Sequence, residues 1–405
     1  MFDLDFWAAY GDAAKTAAGF FWKSGWAFVL GYFISAMIQA FVPKGKLTPY
    51  LGNAGTKSVS LATLFGAISS SCSFAALATA RALIVKGAHF VAAVAFMFAS
   101  TNLVIELGIL ILIFLGWQFL AAEIVGGIVL IFISRLLMKW TYPESWMETA
   151  RVKAEGDAGP ADQSFDWRKR IRSAEGWRMV GHKFVTEWAM VWQEIVIGFT
   201  IAGFVAVLVP ESFWKSIFIA EKAGANPMSF ALVLENALLA PFVAAATFIG
   251  SMGNIPLATV LNSSGVLFAG IMGFIYSDLM VPPLLAVNAR YYGWRAALYI
   301  AAVMYVSIAF TAFLLHYAFT ISGATPESAR AVKDIAQFSV DYTFWMNLIA
   351  GCLVAGLVFL NRAWHRRNKN KAMNMDSGRI KPAAARIALI VVSLGITAHL
   401  VITNL

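Results

Sequence analysis

The side chains with chemistry to offer gather in one run, Ser69, Ser70, Ser71, Cys72 and Ser73, inside the apolar stretch GAISSSCSFAALATARALIVKG from Gly66 to Gly87. Hydrocarbon holds no water to satisfy a hydroxyl or an interrupted backbone, so polar chain at that depth persists only where protein or a water-filled cavity surrounds it. Small hydroxyls at a helix break bind a polar solute through their oxygens and through freed backbone N–H groups, and converging half-helix ends favour an anion. Close helix packing selects small residues too, so the same serines have a structural use.

The stretch occurs twice. Leu77-Ala78-Thr79 returns as Leu257-Ala258-Thr259, and Gly87-x-x-Phe90 returns, after a two-residue contraction, as Gly265-x-x-Phe268. Ser100 falls opposite Ser277, and Gly116-Trp117 opposite Gly293-Trp294. On this frame the serine-cysteine tip aligns with Gly250-Ser251-Met252-Gly253-Asn254. Paired polar interruptions in two halves point to a transporter's site, which makes Ser70, Ser71, Cys72, Ser73, Ser251, Met252 and Asn254 the candidate substrate-binding residues. Cys72 and Met252 bring thiol and thioether sulfur, suited to a soft metal or metalloid centre such as a trivalent organoarsenical, although both residues also serve as packing. Asp278, opposite Thr101, and Glu123 lie within apolar spans, where a carboxyl is costly enough to suggest that it carries a coupling proton. Asn102 and Glu106, nearer a span end, read as interfacial. The sequence contains no metal-ligand cluster, nucleophile triad or phosphate loop, and no cofactor is implied.

Composition sets the surroundings. Of the 405 residues, 60% are hydrophobic and 13% charged, with a mean hydropathy of +0.71, values that a water-soluble domain does not carry. The net charge of +9 lies in a few inter-helix loops rather than along one face, which speaks for orientation in a bilayer and against a nucleic-acid partner. The two cysteines, Cys72 and Cys352, both fall in apolar segments and imply no disulfide framework.

Helices must position those side chains. Residues 1–18 form an N-terminal segment that lacks the basic start of a signal peptide. A first span at about 19–42 stops at Pro43, and the acid-free loop with Lys44, Lys46 and Lys57 sets its end in the cytoplasm. Residues 58–86 are too few to cross twice, each leg reaching about 20 Å against about 30 Å of hydrocarbon. They predict a re-entrant hairpin with its tip at Ser70 to Ser73; a single kinked crossing is the alternative. Spans at about 88–107 and 109–137 follow, with a tight turn at Gly108, and residues 140–187 make a cytoplasmic linker. The second half repeats the plan over 188–320, with a span at about 188–209, a hairpin at 229–263 broken at Pro241 and at Gly250 to Gly253, and spans at about 265–287 and 294–320. The span after Gly116-Trp117 runs inward and that after Gly293-Trp294 runs outward, so the repeats 19–139 and 188–320 are inverted. Residues 321–405 add two helices, at about 343–361 and 387–404, around a strongly basic loop.

The segment SSCSFAALATARALIVKGAHFVAAVAFMFASTNLV, with its repeat partner ending in GNIPLATVL, resembles the YraQ-like predicted permeases, which include the ArsP organoarsenical exporters. The similarity covers roughly residues 50–140 and 230–320. The family's first tip commonly reads Cys-Ser-Cys-Ser or Cys-Ser-Cys-Thr, followed after two residues by proline. Here Ser70-Ser71-Cys72-Ser73 and Ala76 stand at those positions, so one cysteine and the proline are absent, and Pro256 stands opposite Ala76 in the second repeat. The resemblance implies an efflux permease for small or metalloid compounds.

The expectation is therefore an all-α polytopic membrane protein of about eight transmembrane helices and two re-entrant hairpins in inverted repeats, seated in the bacterial inner membrane. It exports a small solute by alternating access between the hairpin tips. Its partners are a small-molecule substrate, the lipid bilayer and, in a homo-oligomer, further copies of itself. The competing readings are a passive channel, a non-transporting membrane subunit, and an intramembrane thiol enzyme built on Cys72, whose nearest sequence base is His89, just beyond the turn.

Overall fold

The computed structural model describes residues 4–41, 51–69, 73–155, 170–218, 229–247, 251–326, 338, 341–367 and 380–403, and among them every regular element is a helix. In chain order these are α1 (Leu4–Phe41), α2 (Thr56–Ser69), α3 (Ser73–Val85), α4 (Phe90–Asn102), α5 (Ile105–Phe114), α6 (Trp117–Thr141), α7 (Glu144–Glu155) and α8 (Ala174–Leu208). The second half has α9 (Glu211–Ile217), α10 (Phe230–Thr247), α11 (Ser251–Ser263), α12 (Phe268–Ile275), a 3-10 turn at Tyr276–Met280, α13 (Pro282–Tyr292) and α14 (Trp294–Ile321). The chain closes with α15 (Tyr342–Arg367) and α16 (Ile380–Thr403).

Five helices are long and apolar enough to cross a bilayer, and the number rises to 8 if each sharply bent pair counts as one span. Two of those pairs are repeat partners. α4 and α5 meet at 44°, and α12 with its 3-10 turn meets α13 at 41°. α1 runs unbroken across residue 18, and Lys23 within it pairs with Asp341 at 3.1 Å.

The same local devices occur in both halves. α3 ends in a Schellman turn, with Gly87 N donating to Ile84 O (2.9 Å) and Ala88 N to Leu83 O (2.9 Å). α11 ends identically, with Gly265 N on Asn262 O (3.1 Å) and Val266 N on Leu261 O (3.2 Å). Gly87 and Gly265 adopt φ of 96° and 82°, a left-handed backbone that glycine takes without penalty. α3 and α11 both have 13 residues, so the two-residue contraction seen in the sequence does not change helix length. Counted back from these turns, the counterpart of Ala76 is Asn254 rather than Pro256.

Three sequence expectations are corrected. The turn placed at Gly108 lies at Gly116, whose φ is 103°, because Gly108 keeps its helical bond to Val104 O at 3.0 Å while Gly116 leaves the helix. Pro241 does not break its segment; it sits inside the continuous α10. Gly253 likewise falls inside α11.

Contacts trace the paths of the two helix pairs. His89 N donates to Leu51 O at 2.8 Å, so the chain entering α2 meets the chain leaving α3, while Gly66 of α2 lies against Phe96, Ala99 and Ser100 of α4. α2 therefore runs parallel to α4 and α3 runs back. In the second pair, Asn236 of α10 donates to Phe218 O (2.9 Å) and accepts from Leu267 N (3.3 Å), which joins both ends of that pair in the same way. The first pair opens at the C-terminal end of α6, where Arg135 Nε donates to Ala54 O at 3.2 Å. The second opens at the N-terminal end of α6, where the Phe119 and Phe268 rings lie 5.1 Å apart.

α7, inside the polar linker, ties elements of both repeats. Arg151 donates to Ile84 O and Ala88 O at 3.1 Å each, at the carbonyl end of α3, and Lys153 reaches Ala289 O of α13 at 3.2 Å. Cations at helix C-termini satisfy orphan carbonyls and oppose the negative end of the dipole.

Tight helix contacts are made through glycine. A Cβ on Gly66 would stand 2.6 Å from Phe96 O and 2.8 Å from Ala99 Cβ, whereas one on Gly351 of α15 would meet nothing within 4 Å. Gly66→Ala is expected to destabilise the protein by about 1–3 kcal/mol, because backbone must move to admit the methyl. Gly351→Ala should raise stability by about 0.5–1 kcal/mol through helix propensity alone. Unfolding of the purified variants in detergent measures both, and equal effects would show that α2 and α4 do not pack this closely.

Candidate functional site

The first residues of α3 and α11 converge on one carboxylate. Ser251 Oγ donates to Asp278 Oδ2 at 2.6 Å, Ser73 Oγ lies 3.2 Å from the same oxygen, and the two hydroxyls are 3.1 Å apart. Asp278 sits fully buried on the 3-10 turn just before the bend into α13. Thr101, opposite Asp278 in the sequence alignment and just before the bend that follows α4, donates its hydroxyl to Met97 O of its own helix at 3.1 Å. Helix N-termini attract negative charge through their unpaired N–H groups. Here the chain supplies that charge itself, so the anionic solute expected at the converging half-helix ends finds a carboxylate already beside them.

A second carboxyl stands nearby. Glu123 of α6 is buried, neither of its oxygens has a hydrogen-bond partner, and it is close enough to act electrostatically on Asp278. Tyr276 Oη donates to Ala122 O at 2.7 Å and so locks the 3-10 turn to α6 next to Glu123. Gly126 makes this possible, since a Cβ there would strike the Tyr276 hydroxyl.

Two amides complete the cluster of buried polar groups. Asn254, one turn along α11 from Ser251, is buried with its amide nitrogen and oxygen unpartnered. Asn102, at the end of α4, is likewise buried, and its amide has no hydrogen-bond partner among the described residues. Among the described residues no lysine or arginine is buried, and the tip segments 70–72 and 248–250 contain none in sequence. The centre is thus acidic and rich in oxygen.

The structure brings Ser73, Ser251 and Asp278 together, with Glu123 beside them. Ser70, Ser71 and Cys72 lie outside the described residues, as does the side chain of Met252, so the expected pairing of thiol and thioether falls there too. Among the described residues, no three His, Cys, Asp or Glu side chains are grouped to hold a metal ion. Sequence reading missed Glu187 of α8, buried and accepting from Ser35 Oγ (3.2 Å) and Gln39 Nε2 of α1. Starting the fourth span at Trp188 placed this carboxyl outside it by one residue.

Long apolar helices surrounding a buried acidic centre make this a multi-pass membrane protein. The chain belongs to the ArsP_1 family, described as predicted permease, whose model matches residues 10–317 and ends before α15 and α16. It is also 37% identical over 329 residues to the Mycobacterium tuberculosis protein named "Putative permease Rv2963", an alignment covering 78% of this chain and 79% of that one. No solved structure matches the chain. The protein is a membrane permease.

Ser251→Ala removes a hydrogen bond to a buried carboxyl and should cost about 1–3 kcal/mol of stability. Combined with Asp278→Asn, the loss should fall short of the sum by about 0.5–3 kcal/mol, because both changes remove the same contact. Unfolding of the two single variants and the double variant in detergent tests this; additive losses would mean that the hydroxyl and carboxyl are not bonded.

Proposed function

We propose that the protein is a secondary transporter that exports a small solute by alternating access between two re-entrant hairpins in inverted repeats. Three observations support the reading. Each helix pair returns to the end from which it entered, the pairs open toward opposite ends of α6, and their tips meet at Asp278. The equivalent helices α6 and α14 also run antiparallel, since Thr141 meets Tyr299 at 3.0 Å while Gly126 faces Leu315 further along. Repeats so related let the two halves exchange conformations and expose one site to either side in turn.

The junction of Ser73, Ser251 and Asp278 carries the proposal, because it joins the two halves through one titratable group. An ionised Asp278 accepts from both hydroxyls and holds the tips together. A protonated Asp278 attracts the positive ends of α3 and α11 less, so proton binding loosens the junction and its release restores it. Glu123 is the second coupling carboxyl, a buried acid on α6 beside the Tyr276–Ala122 hydrogen bond that ties α6 to the turn carrying Asp278. Ser70, Ser71, Cys72, Ser73, Ser251, Met252 and Asn254 line the solute's site. A thiophilic metalloid or organoarsenical is the solute suggested by Cys72, Met252 and the family resemblance.

The test is accumulation of a trivalent organoarsenical in everted membrane vesicles. Wild type should accumulate it only while the proton gradient stands, and Asp278→Asn should lower the rate about tenfold or more, the scale of one lost hydrogen bond to a charged group. Ser73→Ala should slow transport less. Accumulation indifferent to an uncoupler would instead indicate a passive channel, and no uptake by any variant would reject the arsenical. Labelling that placed Lys139 and Arg290 on opposite faces of the membrane would refute the inversion.

A further inference from the structure

The bend between α4 and α5 leaves a cavity of about 390 Å³ against α6. Its walls are apolar, formed by residues that include Val104, Ile109 and Leu120, and four of its side chains, Ile105, Leu112, Ile124 and Ile128, are about half exposed on helices that pass for membrane spans. The cavity therefore opens sideways, toward lipid, rather than along the helix axes toward water. Asn102 and Glu123 also line it, and these are two of the residues whose buried polar atoms have no partner. An unpaired buried carboxyl and amide are costly, and this pair stands in the inner wall of a groove open to the bilayer, with its polar atoms just behind the apolar surface. The volume suits a small organic molecule.

We propose that this groove is a lateral entrance for an amphiphilic cation, an ammonium group on an apolar body, which leaves the lipid phase and pairs with Glu123. The inference rests on the transporter reading above and adds, at Glu123, a second class of ligand to the organoarsenical proposed for the tips. Charge decides the class: the polar side chains of the wall are the Glu123 carboxyl and the Asn102 amide, and among the described residues no buried lysine or arginine is present to receive an anion. The apolar walls accept the hydrocarbon body, the Asn102 side chain supplies a second hydrogen-bonding partner for the head, and the Glu123 carboxylate supplies its counter-charge.

The test uses the full-length protein in lipid nanodiscs and a medium-chain alkylamine bearing a photoreactive diazirine. The label should map to residues 105–112 and 120–128, and unlabelled alkylamine should compete with it about tenfold or more better than the alcohol or carboxylic acid of equal chain length, as expected for one hydrogen bond to a charged group. Glu123→Gln should remove the preference for amine over alcohol while leaving some label in the groove, which shows that the variant is folded. Ile124→Trp, at the lipid-facing rim, should reduce the label. Equal competition by amine and alcohol in wild type would overturn the proposal and leave a groove filled by ordinary acyl chains. Label spread evenly over the exposed face of α15 would overturn it as well. Amine-selective labelling in a protein that moves no solute would sink the transporter reading but keep the site; flux without selective labelling would sink the lateral entrance alone.

Discussion

A single carboxylate in an apolar interior constrains the rest of this molecule. Asp278 is fully buried, and it is held where Ser73 and Ser251 start two helices from opposite halves of the chain. A charge at such depth persists only if hydrogen-bond donors and dipoles replace water around it. The interruptions of α2–α3 and α10–α11, and the paired bends before α5 and α13, bring those donors to the carboxylate. In water the same breaks would be unremarkable loops. In a bilayer each one frees backbone groups that something must satisfy, so breaks occur where they enclose a polar centre.

Glycine and small residues make the centre reachable. Close contacts at Gly66 against α4, Gly126 against Tyr276 and Gly273 against Ala240 draw helices together more closely than any side chain would allow. Lipid offers helices little hydrophobic reason to associate, so this close packing, with hydrogen bonds such as Tyr276 to Ala122 and Asn236 to Phe218, carries the assembly. The positive-φ glycines at 87 and 265 then turn the chain where α3 and α11 end and lead it into the next helix. α7 adds a clamp across α3 and α13, so the polar linker has a structural role as well as a connecting one.

The described part of the site is chemically hard. Carboxyls, hydroxyls and amides suit protons, ammonium groups and hydrogen-bond donors, whereas sulfur suits soft metalloids.

The sequence alone determined the class of fold and the setting. Helical apolar runs, scarce charge and the collinear matches from Leu77 to Trp117 and from Leu257 to Trp294 require only local information, because bilayer thickness and hydropathy act segment by segment. Ser73, Ser251, Asp278 and Glu123 were legible as candidates because polar groups in apolar runs stand out one residue at a time. That Ser73 and Ser251 share one oxygen of Asp278 was not legible, since residues separated by 178 and 205 positions meet only through packing. Nor was the burial of Asn102 without a hydrogen-bond partner among the described residues, which depends on the helices packed around the end of α4. The turn at Gly116 in place of Gly108 has the same origin. Both glycines permit reversal, and hydrogen bonding along α5, a property of the folded chain, decides which one takes it.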